Sequence, residues 1–509
     1  MISCFPVLFL KKEVMFLFLI SALTTTCTKP SNMHMEENTR FSEELIQLKE
    51  YFQIPGMSII ITKGNEIVYE DYLGFADLSA QIPVDSSTAF PMASLTKIFT
   101  GILMMQAVEN KKFRWDDPMN KYVQNLKIPD SIKIEHVLSH TSQGKVGQHF
   151  YYSGRFGLLT NVLEEAYQTT FQNLVQQYII EPLGLMDTYL LRDSFQLTSE
   201  GRVLAMPYFY EGESKDGIID YGYSASSGIV STIRDLAKFN GALDANTLIP
   251  EGSKRRMFSP YKDGLPYGLG MFSQNFLQHD LIWGYGQYDC YSSLFLKVPD
   301  KDLTLIIAAN NNLVSNPARL IYGDVTYSLF ALSFLKNYVL DLADKPLLED
   351  SGSSINLDNR ITEAHSEFYR KKLLAQAIAE SFLAQYDSTH IEMGITLLKQ
   401  VFTLYPVYES YADLNLLHTL SFLKTITSMK KQQPFTQFDS ALEKIALQLL
   451  ANDGDNPYAN YYLANFYIDS GYDALAFELF QKIIEAKNYS RNWYTLEAEN
   501  WVKKYLQMK

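Results

Sequence analysis

Apolar and polar positions along this chain follow two periods, one of strands and one of helices, and the change between them divides the molecule. From Phe41 to Phe52 apolar residues recur at helical spacing, which predicts an amphipathic helix ended by Pro55-Gly56. Met57–Thr62 and Ile67–Tyr72 are β-rich runs separated by Lys63-Gly64-Asn65-Glu66, so they should pair as an antiparallel hairpin. A small-residue turn ending at Ser94 then opens an apolar run to Val108, which predicts a buried helix. A hairpin ahead of such a helix points to an α+β architecture, an antiparallel sheet with flanking helices, and not to a parallel doubly wound sheet. The stretch 308–312 reads as the end of a strand, and Tyr327 to Leu340 as a helix.

Composition then changes. Residues 341–358, around the Pro/Ser/Gly/Asp-rich stretch Asp344–Leu357, read as a linker, and 359–509 is almost entirely of helical period. Asn456–Ala486 fits one tetratricopeptide-like hairpin, with Leu463, Ala464, Tyr467, Gly471, Ala476 and Phe480 at its packing positions. Gly394, Leu398, Val401 and Pro406 match the later half of a weaker copy. Two copies are few for a free-standing array, so this C-terminal all-α repeat-like domain either covers the larger domain or offers a surface to a protein partner.

At 509 residues and 47 % hydrophobic content the chain can bury two cores. A net charge of -13 without basic runs argues against a nucleic-acid partner. Lys11 and Lys12 precede the short apolar run Val14–Leu23, so residues 1–27 read as an export signal. The small residues before Cys27 resemble a lipoprotein cleavage site, which would make Cys27 a lipidated membrane anchor in the cell envelope; simple secretion to the periplasm is the other reading. Cys27 and Cys290 are too few for a disulfide framework, and no Cys/His spacing suits zinc.

Ser94 and Lys97 carry the clearest chemistry. Three residues apart on a helix they share a face, and a helix N-terminus favours both a neutral amine and an oxyanion. To act as a base, Lys97 must lose roughly three pKa units through burial and neighbouring positive charge, about 4 kcal/mol. The same spacing recurs at Ser142/Lys145, Ser259/Lys262, Ser333/Lys336, Ser421/Lys424 and Ser428/Lys431, so it is the apolar helix that singles out Ser94. His136 and His140 lie four apart but lack the Glu of a zinc-peptidase helix and a third ligand, and they read as structural. A Tyr/Ser/Gly-rich turn at 150–159 could direct a tyrosine hydroxyl into a cleft, with Tyr151 and Tyr152 both in register for it.

The ordered segments Pro91–Lys97, Val137–Ser142, Tyr152–Gly154, Glu181–Thr188, Ser226–Leu236, Tyr267–Met271 and Trp283–Gln287 resemble the serine hydrolase family of class C β-lactamases, DD-peptidases and related esterases. The resemblance spans residues 38–340 and implies a β-lactamase/transpeptidase-like fold. It implies Ser94 as acylated nucleophile, Lys97 and Tyr152 as general bases, and an oxyanion hole from the Ser94 N–H and one beyond Gly286, at Gln287. No metal or other cofactor is implied. The chain departs from the family pattern at two places. Gly154 stands where the second motif has Asn, and Gly284-Tyr285-Gly286 stands where the third has a cation. Losing both should weaken penicillin-like ligands by several kcal/mol. An esterase or amidase is therefore the favoured expectation, with a DD-peptidase or β-lactamase, or a catalytically eroded binding protein, as alternatives. The implied substrates are small esters, amides or peptides.

Overall fold

The computed structural model describes residues 32–124, 128–200, 204–342, 345–349, 366–404, 413–486 and 488–509. The expected leader 1–27 with Cys27, the part of the expected linker from 350 to 358, and Pro406 lie outside the described residues. Among the described residues no helix is long and apolar enough to cross a membrane.

Seven strands form the main sheet: β1 (Gly56–Lys63), β2 (Glu66–Asp77), β3 (Ile82–Pro83), β4 (Phe272–Phe276), β5 (His279–Gln287), β6 (Ser292–Val298) and β7 (Leu303–Ala309). Their order is β3-β2-β1-β7-β6-β5-β4, and every neighbour is antiparallel. The amino-terminal hairpin thus closes against the last strand, with Ile60 opposite Ile306. Side chains alternate between faces along a strand. Ile59 and Ile61 accordingly enter one core while Ile60 enters the other, and the sheet is covered on both sides.

Helix α1 (Asn32–Tyr51) lies on the first face through buried Phe41, Leu45 and Leu48, spaced as one helical stripe. It begins nine residues before the apolar period does. Polar contacts hold that extra length: Asn38 donates to Val68 O and accepts from the Tyr338 hydroxyl, which a hydrophobic pattern cannot register. Helix α2 (Thr96–Glu109) lies on the second face, with Ile98, Phe99, Ile102 and Met105 buried along one side of it and Met104 on the other.

The first-face core continues into the C-terminal helices. Phe52 and Phe330 belong to the same apolar cluster as Ala375 and Ile378 of helix Ser366–Leu383. Polar ties cross the same boundary: the Tyr51 hydroxyl donates to Glu380 at 2.8 Å, and Lys371 pairs with Asp324 at 2.6 Å. Of the two expectations for the tail, packing on the larger region is the one these contacts describe. Within it, Pro457–Asp469 and Asp473–Glu485 form a helical hairpin that buries Leu463, Ala464, Ala476 and Phe480 and turns at Gly471, φ +79°.

Candidate active site

Ser94 sits in a single 3-10 turn, Ala93–Leu95, that leads into α2, one step ahead of the α-helical residues expected to hold it. The turn is pinned from three sides. Phe90–Pro91 pairs with Ile229–Ser231, and the Met92 N–H donates to Ile229 O at 2.7 Å. Met92 O accepts from the Leu95 N–H and from Ser293 Oγ of β6, at 3.0 and 3.1 Å. Thr96 Oγ1 donates back to Ala93 O at 2.7 Å while accepting from the Ile229 N–H. These bonds hold Ala93 at φ +46°, a conformation costing an L-residue about 1 kcal/mol or more. Ser94 is left partly exposed between buried neighbours.

Lys97 Nζ lies 2.9 Å from Ser94 Oγ and 3.0 Å from Ser226 O. Burial alone pulls its pKa from 10.5 down to about 7, so the neighbouring positive charge expected from the sequence is not needed. Protonated, Nζ donates to both oxygens. Neutral, it keeps an N–H for Ser226 O and turns its lone pair toward the Ser94 hydroxyl. The Ser226 carbonyl is held in place because Thr100 of α2 hydrogen-bonds the preceding Ala225 O at 2.7 Å. Ser226 falls within one of the matching segments, but no sequence pattern marks its backbone oxygen as facing the amine.

The structure brings Tyr152, and not Tyr151, to this pair. Ser94 is near enough to the Tyr152 hydroxyl to draw its pKa down, and Lys97 Nζ stands 4.9 Å from the Tyr152 ring centroid. Tyr151 instead turns to the C-terminal helices, where its hydroxyl contacts Asp453 and Tyr489. Burial raises the Tyr152 pKa above its ordinary 10, only partly offset by the nearby Ser94. At neutral pH the amine is therefore the group able to take a proton, and the phenol is able to relay one.

His140 fixes the tyrosine's position. Its ring stacks on Tyr152 at 4.3 Å, and its Nδ1 accepts the Ser153 N–H at 3.0 Å. Burial and the Lys97 charge hold it well below its ordinary pKa, so it stays neutral. His136 Nδ1 accepts the Lys133 N–H. Each imidazole thus spends a ring nitrogen on a backbone amide, and among the described residues no cluster of His, Cys, Asp or Glu could hold a metal ion.

Strand β5 brings the third segment beside Ser94. A Cβ on Gly286 would collide with Met92 O, the carbonyl two residues before Ser94, so glycine is what lets strand and turn touch. Gly284 faces the softer ends of Ile98 and Leu95. Tyr285 points to the opposite face, 5.7 Å from the Tyr152 ring, and Gln287 ends the strand exposed, donating to Asn316 at 3.2 Å. The space beside Gly154 is open, so its lack of a side chain removes hydrogen bonds and relieves no crowding. Gly154→Asn is accordingly expected to fold normally. It should raise acylation by amide-bearing compounds about tenfold, the worth of one good hydrogen bond, read from penicillin adduct formation over time. Arg319, which no sequence pattern marked, supplies a cation whose charge reaches Tyr285 and Tyr458.

The family model described as Beta-lactamase matches residues 45–322, more than half of the chain. This chain belongs to the beta-lactamase family. As a member of it, it is 20 % identical over 410 residues to penicillin-binding protein 4* of Bacillus subtilis, covering 70 % of this chain and 87 % of that protein. It is 22 % identical over 267 residues to a D-aminopeptidase of Brucella anthropi, covering 44 % of this chain and half of that protein's length. Among solved structures, an octameric penicillin-binding protein homologue from Pyrococcus abyssi superposes with a TM-score of 0.54 at 20 % identity. It covers 66 % of this chain and 81 % of that one, which is a likeness of fold. The family is one of serine hydrolases, and a beta-lactamase of Yersinia enterocolitica, 21 % identical over 285 residues and covering 48 % of this chain and 70 % of that protein, is another of its relatives.

Proposed function

We propose that the protein is an exported serine esterase or amidase working through an acyl-enzyme on Ser94. The observation that carries this reading is the 2.9 Å approach of a buried, readily neutral Lys97 to Ser94 Oγ. Lys97 takes the Ser94 proton as Oγ attacks the ester or amide carbonyl carbon. The oxyanion rests on the Ser94 and Gln287 backbone N–H groups, and Tyr152 relays the proton to the leaving oxygen or nitrogen. Water then attacks the acyl carbon with Lys97 again as base, and Ser94 Oγ leaves. Small-molecule esters, amides or peptides are the substrates. The open space at Gly154 and the absence of a cation at Gly284 support ester or simple amide turnover over penicillin recognition. The residues before 32 support export, with Cys27 as the proposed lipid anchor.

Intact mass after brief incubation with activated esters and with penicillins tests this, on wild type and Ser94→Ala together. A mass gain with an ester that is lost in Ser94→Ala is the expected result. An adduct with penicillin alone would move the protein to the peptidases. No adduct and no turnover from folded protein would leave a binding protein.

A further inference from the structure

Between helix Ile134–Leu138 and the 3-10 turn Gly154–Leu158, residues 139–153 form neither helix nor strand, yet they carry Tyr152 to the candidate active site. On the inner side His140 holds both neighbours of that tyrosine: its carbonyl accepts the Tyr151 N–H at 2.9 Å, and its Nδ1 accepts the Ser153 N–H. His140 and Phe272 stack on the Tyr152 ring at centroid distances of 4.3 and 5.8 Å. Stacked faces keep a ring from tipping but let it slide in its own plane, so the reach of the hydroxyl toward Ser94 is set by the backbone that carries it.

On the outer side the loop is tied to the helical region. The Gln143 side-chain oxygen accepts the Ser490 N–H at 2.6 Å, and the Gly144 N–H donates to Asn488 O at 3.3 Å. Tyr489 sits edge-on to Tyr151 at 4.9 Å, and its hydroxyl donates to the Tyr151 hydroxyl at 3.2 Å. The Tyr151 hydroxyl gives its own proton to Asp453, which closes helix Asp439–Asn452, and His149 Nδ1 stands 3.3 Å from the same carboxylate oxygen. The chain thus runs one way, from Tyr489 through Tyr151 to a carboxylate that can only accept. Tyr151 is 6 % exposed, so without that acceptor its hydroxyl proton would be left unpaired away from water. Tyr151 and Tyr152 share a peptide, and they face opposite ways: one into the helical region, the other toward Lys97.

We propose that the helical region takes part in catalysis through this loop: Asp453 is a positioning residue that, by holding the Tyr151 hydroxyl, fixes the peptide shared with Tyr152 and keeps the Tyr152 hydroxyl beside Ser94 for proton delivery to the leaving atom. The effect on turnover rests on the hydrolase reading above; the anchoring of the loop does not.

Two esters of one acid, 4-nitrophenyl butanoate and ethyl butanoate, form the same acyl-enzyme and differ only in the leaving group. Nitrophenolate departs without a proton, whereas ethoxide needs one, so their kcat/KM ratio reads proton delivery. Asp453→Leu and Tyr151→Phe should each lower kcat/KM for the ethyl ester about tenfold and for the nitrophenyl ester less than about threefold, with folding checked by circular dichroism. Asp453→Asn, whose side-chain oxygen still accepts from Tyr151, should recover most of the ethyl ester rate. Equal losses on the two esters, no loss, or a loss in Asp453→Asn as large as in Asp453→Leu overturns the positioning role. Hydrogen exchange of the peptide spanning 141–153 reads the anchoring without turnover: it should quicken about tenfold or more in Asp453→Leu and Tyr151→Phe while α2 is unchanged, and unchanged exchange overturns the anchoring. Faster exchange in a protein whose wild type hydrolyses neither ester would sink the hydrolase reading and leave the anchoring standing.

Discussion

Lys97→Met is expected to abolish turnover and, at the same time, to make the protein more stable. The fall in pKa from 10.5 to about 7 means that the folded state resists the charged amine by roughly 5 kcal/mol, at about 1.4 kcal/mol per unit. The sign follows from the proton count. Between pH 7 and 10.5 the unfolded chain holds a proton on Lys97 that the folded chain has lost, so this residue's contribution to stability rises with pH through that window. Below about pH 7 its penalty is present in full. Methionine of similar length removes the penalty and leaves Ser226 O without its donor, which costs about 1–2 kcal/mol. The net gain should be about 3–4 kcal/mol at pH 6 and fall toward zero or below at pH 10. Calorimetric melting at the two pH values checks it; a variant less stable than wild type at pH 6 would contradict the buried neutral amine. Activity should fall about a thousandfold with the proposed general base gone. In wild type, kcat/KM for an activated ester should rise about tenfold per pH unit below 7 and level off above it.

Gly286→Ala should damage both fold and chemistry from a position that makes no contact with a proton. The added methyl would meet Met92 O and C and Ser293 Oγ, and two of those three atoms are backbone in the turn that carries Ser94. Either β5 moves away from the turn or the turn gives up the hydrogen bonds that pin it. Overpacking of this kind costs roughly 1–3 kcal/mol, and more where backbone must shift. The displacement also moves Gln287, the proposed oxyanion donor, relative to Ser94, and losing one such donor costs about 100- to 1,000-fold in kcat. Gly284→Ala, against the flexible ends of Ile98 and Leu95, should cost distinctly less stability. Thermal melts of the two variants side by side give the comparison, and equal losses would show that the Met92 contact is not what requires glycine.

Much of this was legible in the sequence where one local rule applied. The hairpin at β1 and β2 announces itself by β-branched runs around a Lys-Gly-Asn-Glu turn, and the apolar run after Ser94 could only be a buried helix. Ser94 and Lys97 are neighbours in sequence as well as in space, so their pairing survives folding. Tyr152 was the residue the resemblance pointed to, with Tyr151 beside it leaving the register open by one. Only the packing of His140 on one ring and of Asp453 on the other hydroxyl separates them, and both partners come from elsewhere in the chain. The Ser226 carbonyl carries no side-chain signature, and the setting of Arg319 is created by His418, 99 positions away. Groups defined by backbone oxygens or by distant partners leave no periodic trace.

The apolar cluster that runs without a break from α1 through Phe330 into the C-terminal helices has a genetic consequence. A chain stopped after the sheet would present Phe52, Phe330 and their neighbours to water, and the two regions should melt as one cooperative transition. Premature termination anywhere in the last third of the gene would then act as a null allele of the hydrolase itself. Selection on the hydrolase thus extends to the helices that complete this core.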